Sequence, residues 1–422
     1  MAVSRSAPQR RRETGARLDR RALVVRRAAR VAAALSRRLR GGSGLVIGGR
    51  LVLAAAPEAL RALSAGRRTT LVSGTNGKTT TTGLVAAAID DGTPVTSNRD
   101  GANTSVGIAG TLATSDAVRT VLEVDEGWLP WAVQETSPAA VVLSNLSRDQ
   151  LSRHHEVGAL AASWRRGLAG VPLVVANADD PDVVWPALAA HRQVWVSVGA
   201  HWIADALICP ACGGSCRHGD GEWACTRCPL HRPSPDWWLD GDVLHSATSS
   251  TRLSLRLPGR FNLANAALAV VTAHETEGVP PGVAAARLTE VEAVAGRFER
   301  VRFRGHDLRI MLAKNPAGWL ELLDLMAPDR HPVVLLFNAD GVDGRDPSWL
   351  YDVSFAPLRG RRVVVQGRRA TDLLVRLEME GIEADRLPGS LADALWQLPA
   401  GRVDVVGNYT AFRGAVREVR RG

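Results

Sequence analysis

Between residues 70 and 89 the chain reads TLVSGTNGKTTTTGLVAAAI. An apolar run of strand type enters a glycine-containing turn, and an apolar run of helical type leaves it after Lys78-Thr79. Strand, turn and helix in that order place backbone N–H groups at a helix N-terminus, where an anion is stabilised. Gly74 and Gly77 let the backbone approach a phosphate closely. In loops of this kind the lysine, here Lys78, reaches the terminal phosphates and the following hydroxyl, Thr79, holds Mg²⁺. The loop residues Gly74, Thr75, Asn76, Gly77, Lys78, Thr79 and Thr80 are thus the candidate nucleotide-binding set. One feature departs from the usual form: Val72 stands five places before the glycine of Gly-Lys-Thr, where another glycine is expected.

The chain has 52 Lys+Arg, yet only Lys78 and Lys314 are lysine. Arginine has replaced lysine almost everywhere else. Lysine retained under that bias marks places where arginine's planar fork cannot do the work. Lys314, in LAKNPAGW, therefore joins Lys78 as a functional candidate.

A loop of this type needs a parallel sheet behind it, and the chain supplies the alternation. TLVSG, VRTVLEVD, AAVVLSNL, VPLVVAN and VWVSVG alternate with helical segments up to about residue 200. This predicts a mostly parallel sheet with helices on both faces. Residues 43–66 read as a strand-and-helix lead-in. A second alternation (VRFRG, HPVVLLFNADG, RRVVVQG, VDVVGNY) predicts a smaller Rossmann-like α/β domain over 298–422. The central ATP-binding domain is expected over 43–297. At 422 residues and 45% hydrophobic content there is room for two or three cores.

All five cysteines fall between residues 209 and 228, as CPACGGSC and CTRC. Two C-x₂-C pairs twelve residues apart make two knuckles, and four thiolates close a tetrahedral zinc site. Cys209, Cys212, Cys225 and Cys228 are the expected ligands; Cys216 is the spare, and His218 and His231 are weaker substitutes. With no position left open, the Zn²⁺ is structural. The ribbon is an insert over 205–245.

The net charge of +9 is concentrated: residues 1–40 carry thirteen Arg against Glu13 and Asp19. From Leu18 to Leu39 the tail reads as a basic, weakly amphipathic helix with Leu23, Val24, Val31 and Leu35. Residues 1–42 are either a flexible solubilising extension or a membrane-surface element. No apolar run has the length of a membrane span. No apolar core follows the basic N-terminus, so a cytoplasmic location is expected, with room for peripheral contact at the inner face of the cell membrane.

Polar residues gather where parallel strands end, which is where open α/β sheets bind ligands. Glu123, Asp125 and Glu126 follow VRTVL; Asn145, Arg148, Asp149 and Gln150 follow AAVVLS. Glu123 is the candidate second anchor for Mg²⁺-nucleotide.

GTNGKTT, Glu123, NLSRDQ and GRFNLANAA, in this order, resemble the Mur ligase superfamily, whose phosphate loop also lacks the first glycine. Within it, the cysteine ribbon, LAKNPAGW, NADGVDGRDPSW and GNYTA are similar to the MurT family, synthetase subunits of lipid II isoglutaminyl synthase. The resemblance covers about residues 43–415. It implies a carbon–nitrogen ligase that uses ATP to turn a carboxylate into an acyl phosphate. Its substrate would be the α-carboxylate of D-glutamate in the lipid II stem peptide. The ammonia would come from a GatD-like glutaminase partner in a heterodimer. By the same resemblance Asn262 and Asn265 lie near adenine, and Arg297 contacts phosphate at the domain junction. Asp346 of GRDPSW would orient the partner's catalytic histidine, with Asp340, Asp343 and Asp352 as rivals.

Three departures stand out. Gln150 falls where typical Mur ligases have a metal-binding histidine, Arg165 where they have a carbamylated lysine, and Leu312 where they have an aspartate for ribose. One rival reading is an amino-acid ligase of folylpolyglutamate synthetase type acting alone, which needs neither the ribbon nor the acidic loop. A nucleic-acid-binding ATPase is the other. The ribbon argues against it, because Arg217 and Arg227 are offset by Asp220 and Glu222 and no basic-aromatic stripe is present.

Overall fold

In the computed structural model the described residues are 20–40, 44–56, 58–98, 101–148, 156–199, 203–291, 298–327, 330–338 and 346–421. Two sheets organise them. The first contains β1 (Arg68–Ser73), β2 (Val95–Ser97), β3 (Arg119–Glu123), β4 (Ala140–Leu143), β5 (Val174–Asn177) and β6 (Gln193–Ser197). A two-stranded ribbon, β7 (Cys216–Gly219) and β8 (Glu222–Cys225), interrupts it before β9 (Trp237–Asp240), β10 (Val243–Ser246) and β11 (Ser250–Arg252). The nine strands lie in the order β11-β10-β9-β6-β5-β4-β1-β3-β2. β1 to β6 and β9 are parallel to their neighbours; the β9-β10-β11 edge is antiparallel.

The central strands are buried almost along their whole length because both faces of the sheet are covered. Val72, Val121 and Val142 pack beneath the helices Lys78–Ala88 and Arg260–Glu277. Leu71, Leu122, Val141 and Leu143 point the other way, onto Ile108, Leu112, Leu129 and Trp164.

The second sheet holds β12 (Phe298–Phe303), β13 (His306–Leu312), β14 (Val333–Leu336), β15 (Val363–Gln366), β16 (Ala384–Arg386) and β17 (Gly401–Gly407), in the order β12-β13-β17-β14-β15-β16. Only the β12-β13 pairing is antiparallel. It too carries a core on each face. The fold is the doubly covered α/β architecture expected, with the cysteine ribbon inserted between β6 and β9.

The lead-in differs from expectation. Leu45–Ala55 and Ala59–Ser64 are both helices, and among the described residues no strand forms there. Gly48 and Gly49 decide this: a Cβ on Gly49 would stand 1.8 Å from the Val106 carbonyl oxygen. The helix lies backbone against backbone on Ser105–Thr114, a fit only glycine permits. The tail also departs from a free extension over its second half. Arg20–Arg40 is a helix docked through buried Ala22, Ala29 and Ala33. Among the described residues no helix is long and apolar enough to cross a membrane.

Candidate functional site

The loop after β1 takes its shape from two glycines in the left-handed half of backbone space, Gly74 (φ 151°) and Gly77 (φ 79°). Both are also sterically obligatory. A Cβ on Gly74 would lie 2.1 Å from Ser144 Oγ, and one on Gly77 would lie 2.6 Å from Asn265 Oδ1. Gly77 is the N-cap of the helix Lys78–Ala88, so the unpaired N–H groups of its first turn face the loop. Asn145 and Ser147 grip the loop from the side. Thr75 N donates to the Asn145 carbonyl (2.9 Å), and Asn76 N donates to Asn145 Oδ1 (2.8 Å). Thr75 Oγ1 and Ser147 exchange bonds through the Ser147 carbonyl (3.1 Å) and N–H (2.9 Å).

Lys78 is buried, and its ammonium donates to Gly74 O (2.6 Å), Thr75 O (3.2 Å) and Glu126 Oε2 (2.8 Å). All three of its donors are used. Burial works against the charge on Glu126, but the ammonium groups of Lys78 and Lys314 outweigh it and hold the carboxyl below its usual range. Trp164 Nε1 donates to the Glu126 carbonyl (2.8 Å), which fixes that backbone. Glu123, one turn earlier, is buried too. Asn103 donates to its Oε1 (2.9 Å), while Oε2 has no hydrogen-bond partner among the described residues. A buried carboxylate oxygen left unpaired is costly unless a cation or donor satisfies it. The donor set suits a hard divalent ion such as Mg²⁺.

A cavity of about 210 Å³ opens beside the loop, between the two sheets. Asn76, Gly77, Thr80, Asn262 and Asn265 line one side; Lys314, Gly318 and Glu321 line the other. Asn265 Oδ1 also accepts from Thr81 Oγ1 (3.1 Å), so it sits on the loop itself; Asn262 Nδ2 donates to Pro258 O (2.6 Å). The joint between the domains is direct. Asn76 and Asn315 exchange amide hydrogen bonds, both 3.2 Å. Asn315 Oδ1 accepts from Gly318 N (2.9 Å) as the N-cap of the helix Pro316–Met326, which starts with proline at its first position. That cap holds Lys314 at the cavity. Leu312 adds an apolar wall, and Glu321 adds the carboxylate on that side. Burial, reinforced by Asp324 and only partly offset by Arg260, pushes Glu321 up to about 7.

The acidic loop sits elsewhere on the second domain. Asp346 is exposed and accepts from Ser348 N (2.9 Å), which lowers its carboxyl pKa. Asp352 is committed across the domain boundary to Arg148 (3.0 Å), which also pairs with Asp205. Asn408 of GNYTA donates to the Asn338 carbonyl and accepts from Asn338 N (3.3 Å), anchoring the foot of the NADGVDGRDPSW loop. Arg165 donates to the Trp185 carbonyl, and its guanidinium lies 5.2 Å from that ring. Arg297, Asp149, Gln150, Asp340 and Asp343 lie outside the described residues.

The four expected cysteines converge. Their sulfurs all lie within 4.8 Å of one another, with Cys209–Cys228 at 3.6 Å and Cys212–Cys225 at 3.5 Å. Four thiolates at 2.3 Å from one zinc ion stand about 3.8 Å apart, so the set fits zinc. Gly214 N and Arg227 N point at Cys212 Sγ (3.4 Å) and Cys225 Sγ (3.3 Å), as zinc knuckles do. His218 and His231 are engaged by backbone carbonyls instead, at 2.9 Å and 2.8 Å. The ribbon braces the cavity wall. Trp223 Nε1 donates to Ala178 O (3.0 Å), and Arg232 just beyond it donates to buried Asp179 (2.8 Å), a wall residue.

Sequence reasoning missed Asn315, Glu321, Asp179 and Arg232. The first had a signal: Asn-Pro ahead of an apolar run is an N-cap pattern. The others have no local signature, since long-range packing alone brings them to the wall.

Comparison with known proteins agrees with this geometry. Residues 72–207 match the Mur ligase middle domain, and 312–412 match the MurT ligase C-terminal domain. The chain is 27% identical over 384 residues to the lipid II isoglutaminyl synthase (glutamine-hydrolyzing) subunit MurT of Staphylococcus aureus, covering 83% of this chain and 86% of that one. The Streptococcus pneumoniae subunit of the same name is 26% identical over 379 residues, covering 82% and 84%. Among solved structures, MurF from Acinetobacter baumannii superposes with a TM-score of 0.65 at 15% identity, over 89% of this chain and 81% of that one, a likeness of fold. Over most of its length the chain is thus similar to MurT subunits, with a region matching the Mur ligase middle domain followed by one matching the MurT ligase C-terminal domain.

Proposed function

We propose that the chain is the ATP-using subunit of a lipid II amidating ligase, converting the D-glutamate α-carboxylate of the stem peptide to the amide. The observation that carries this reading is the Asn76–Asn315 joint. It sets a Mur-type phosphate loop against the Lys314 segment of a MurT-type domain, with a cavity between them.

Gly74 to Thr80 would hold the ATP phosphates, with Asn262 and Asn265 on the nucleoside side and Arg297 at the junction. Glu123 would hold Mg²⁺, which supplies neutralisation of the phosphate oxygens when bound. The γ-phosphoryl group passes to a carboxylate oxygen of the substrate, releasing ADP. Lys78 and Lys314 stabilise the charge that develops. An entering phosphate draws Lys78 from Glu126, so the pair keeps the lysine charged and aimed beforehand. Ammonia then attacks the acyl carbon, phosphate leaves, and the nitrogen loses a proton. Ammonium has no lone pair, so a GatD-like glutaminase docked as heterodimer partner would deliver the ammonia unprotonated. That enzyme would use a Cys–His pair. Asp346 would orient its histidine, as the third member of a triad does. Its exposure suits a partner, whereas Asp352 is held by Arg148. The ribbon would hold structural Zn²⁺. The enzyme would work at the inner face of the cell membrane, and nucleic acid has no part.

The test is an amidation assay with Mg-ATP, lipid II and either ammonium or glutamine, with and without a co-expressed GatD-like protein. Mass spectrometry follows the loss of about one dalton as OH becomes NH₂. Ammonium-driven amidation by this chain, with glutamine used only when the partner is present, is the expected result. ATP turnover that adds an amino acid instead would overturn the proposal in favour of an amino-acid ligase.

A further inference from the structure

We infer that the N-terminal helical hairpin is a membrane-docking face that seats the enzyme on anionic lipid. From Arg20 to Ala56 the sequence contains nine arginines and no acidic residue. Among the described side chains, the structure divides arginines by face. Arg26 and Arg30 turn inward: Arg26 donates to the Ser115 carbonyl (3.0 Å), Arg30 to the Ala113 carbonyl (3.0 Å), and both pair with Asp116. The outward stripe of the helix Arg20–Arg40 is Val24, Ala28, Val31 and Leu35, at helical spacing, with exposed Arg27 and Arg38 along one side. The helix Leu45–Ala55 continues the surface with Val46, Ile47 and Leu51 around exposed Arg50. These aliphatic side chains, with Leu23, are 36–66% exposed.

Such a face is not left by poor packing. The opposite side of each helix is tight: a Cβ on Gly48 would stand 3.1 Å from Ala29 O, and one on Gly110 would stand 2.0 Å from Leu45 O. The hairpin is a rigid platform with aliphatic side chains outward and guanidinium groups beside them. An interfacial helix has this composition, and the sign of its charge selects anionic headgroups. Arginine stems also snorkel, keeping the charge at headgroup level while the aliphatic stripe enters the acyl boundary. The platform helix Ser105–Thr114 starts two residues after Asn103, which holds Glu123, so the docked face adjoins the metal side of the site. The inference rests on the proposed function only for its purpose, which is to bring a lipid-borne carboxylate within reach.

The experiment compares the full chain with a triple variant, Val24→Gln, Val31→Gln and Leu35→Gln, which keeps the net charge. Cosedimentation uses vesicles of phosphatidylglycerol with phosphatidylethanolamine, and of phosphatidylcholine alone. Binding of the wild type to the anionic vesicles is expected, with little on phosphatidylcholine. The variant should bind about tenfold more weakly, since three buried aliphatic groups are lost. In the partnered complex, amidation of lipid II in anionic vesicles should fall with it, while amidation of a water-soluble, lipid-free stem peptide stays unchanged. Equal binding by wild type and variant, or none by the wild type, overturns the inference. So does a wild-type dimer that the variant converts to monomer, because a second copy would then be the occupant. If the soluble peptide is amidated while vesicle binding is absent, docking fails and the proposed function stands. If the chain binds vesicles as described but amidates neither substrate, docking stands and the proposed function fails.

Discussion

The phosphate loop and the acidic loop of the second domain differ in every physical respect. Residues 74–80 are clamped by backbone and side-chain bonds from Asn145 and Ser147, and Lys78 has every donor engaged. Asp346, by contrast, stands exposed and accepts from Ser348 N, two residues along the chain. Where the chain does its own chemistry, the groups are preorganised and desolvated, which is what charge stabilisation in transfer requires. On the proposed function Asp346 is lent to another protein, so its environment would be completed only on docking.

The largest effect should come from removing the brace behind the nucleotide side. Cys225→Ser opens the ribbon, and structural zinc is worth ~10 kcal/mol or more in small zinc domains. Loss of zinc by atomic absorption should accompany a lowered melting temperature and weaker nucleotide binding through the Arg232–Asp179 contact. A zinc-free mutant of native stability would contradict the structural role.

Next, Lys78→Ala should cut amidation roughly 10³-fold whichever nitrogen source is supplied, as removal of a preorganised charge does. Asp346→Asn should lower glutamine-driven amidation about 10²-fold and leave ammonium-driven amidation intact, since a wrongly paired histidine impairs only its own reaction. Equal loss with both sources would mean that the acidic loop is structural and the contrast is false.

Glu321 sharpens the comparison through pH. Its folded pKa of about 7 lies above the ordinary 4.5, so the folded state binds the extra proton between those values. That contribution to stability is present below about 4.5 and is lost as pH rises towards 7. Glu321→Gln should flatten this slope by on the order of 1 kcal/mol, read as melting temperature against pH. An unchanged slope would place Glu321 in solvent rather than in the cavity wall. The smallest effect belongs to Asp352→Asn. It removes only the partly exposed pair with Arg148 and should cost no more than ~1 kcal/mol in denaturant unfolding, as such ion pairs do.

Local patterns were legible wherever a short segment makes its own geometry. The phosphate loop, the cysteine knuckles and the strand runs each encode their structure within about twenty residues. The lead-in misled because LVIGGRLVL carries glycines whose purpose lies in other segments; only the close approach of Ala29 to Gly48 and of Val106 to Gly49 explains them. The arginine-rich tail read as a basic, weakly amphipathic helix, and packing then turned Arg26 and Arg30 inward to Asp116 while leaving Arg27 and Arg38 exposed.

By itself, then, the sequence determined the two α/β units, the glycine loop between β1 and its helix, and the cysteine cluster, since periodicity and fixed spacing are local properties of a chain. Tertiary structure alone decided that Asn76 meets Asn315 and that Lys78 pairs with Glu126. It also placed Glu321 in the cavity wall and turned Val24, Val31 and Leu35 outward. Those outcomes depend on which surfaces two sheets and a hairpin bury against each other, and no short window of residues contains that information.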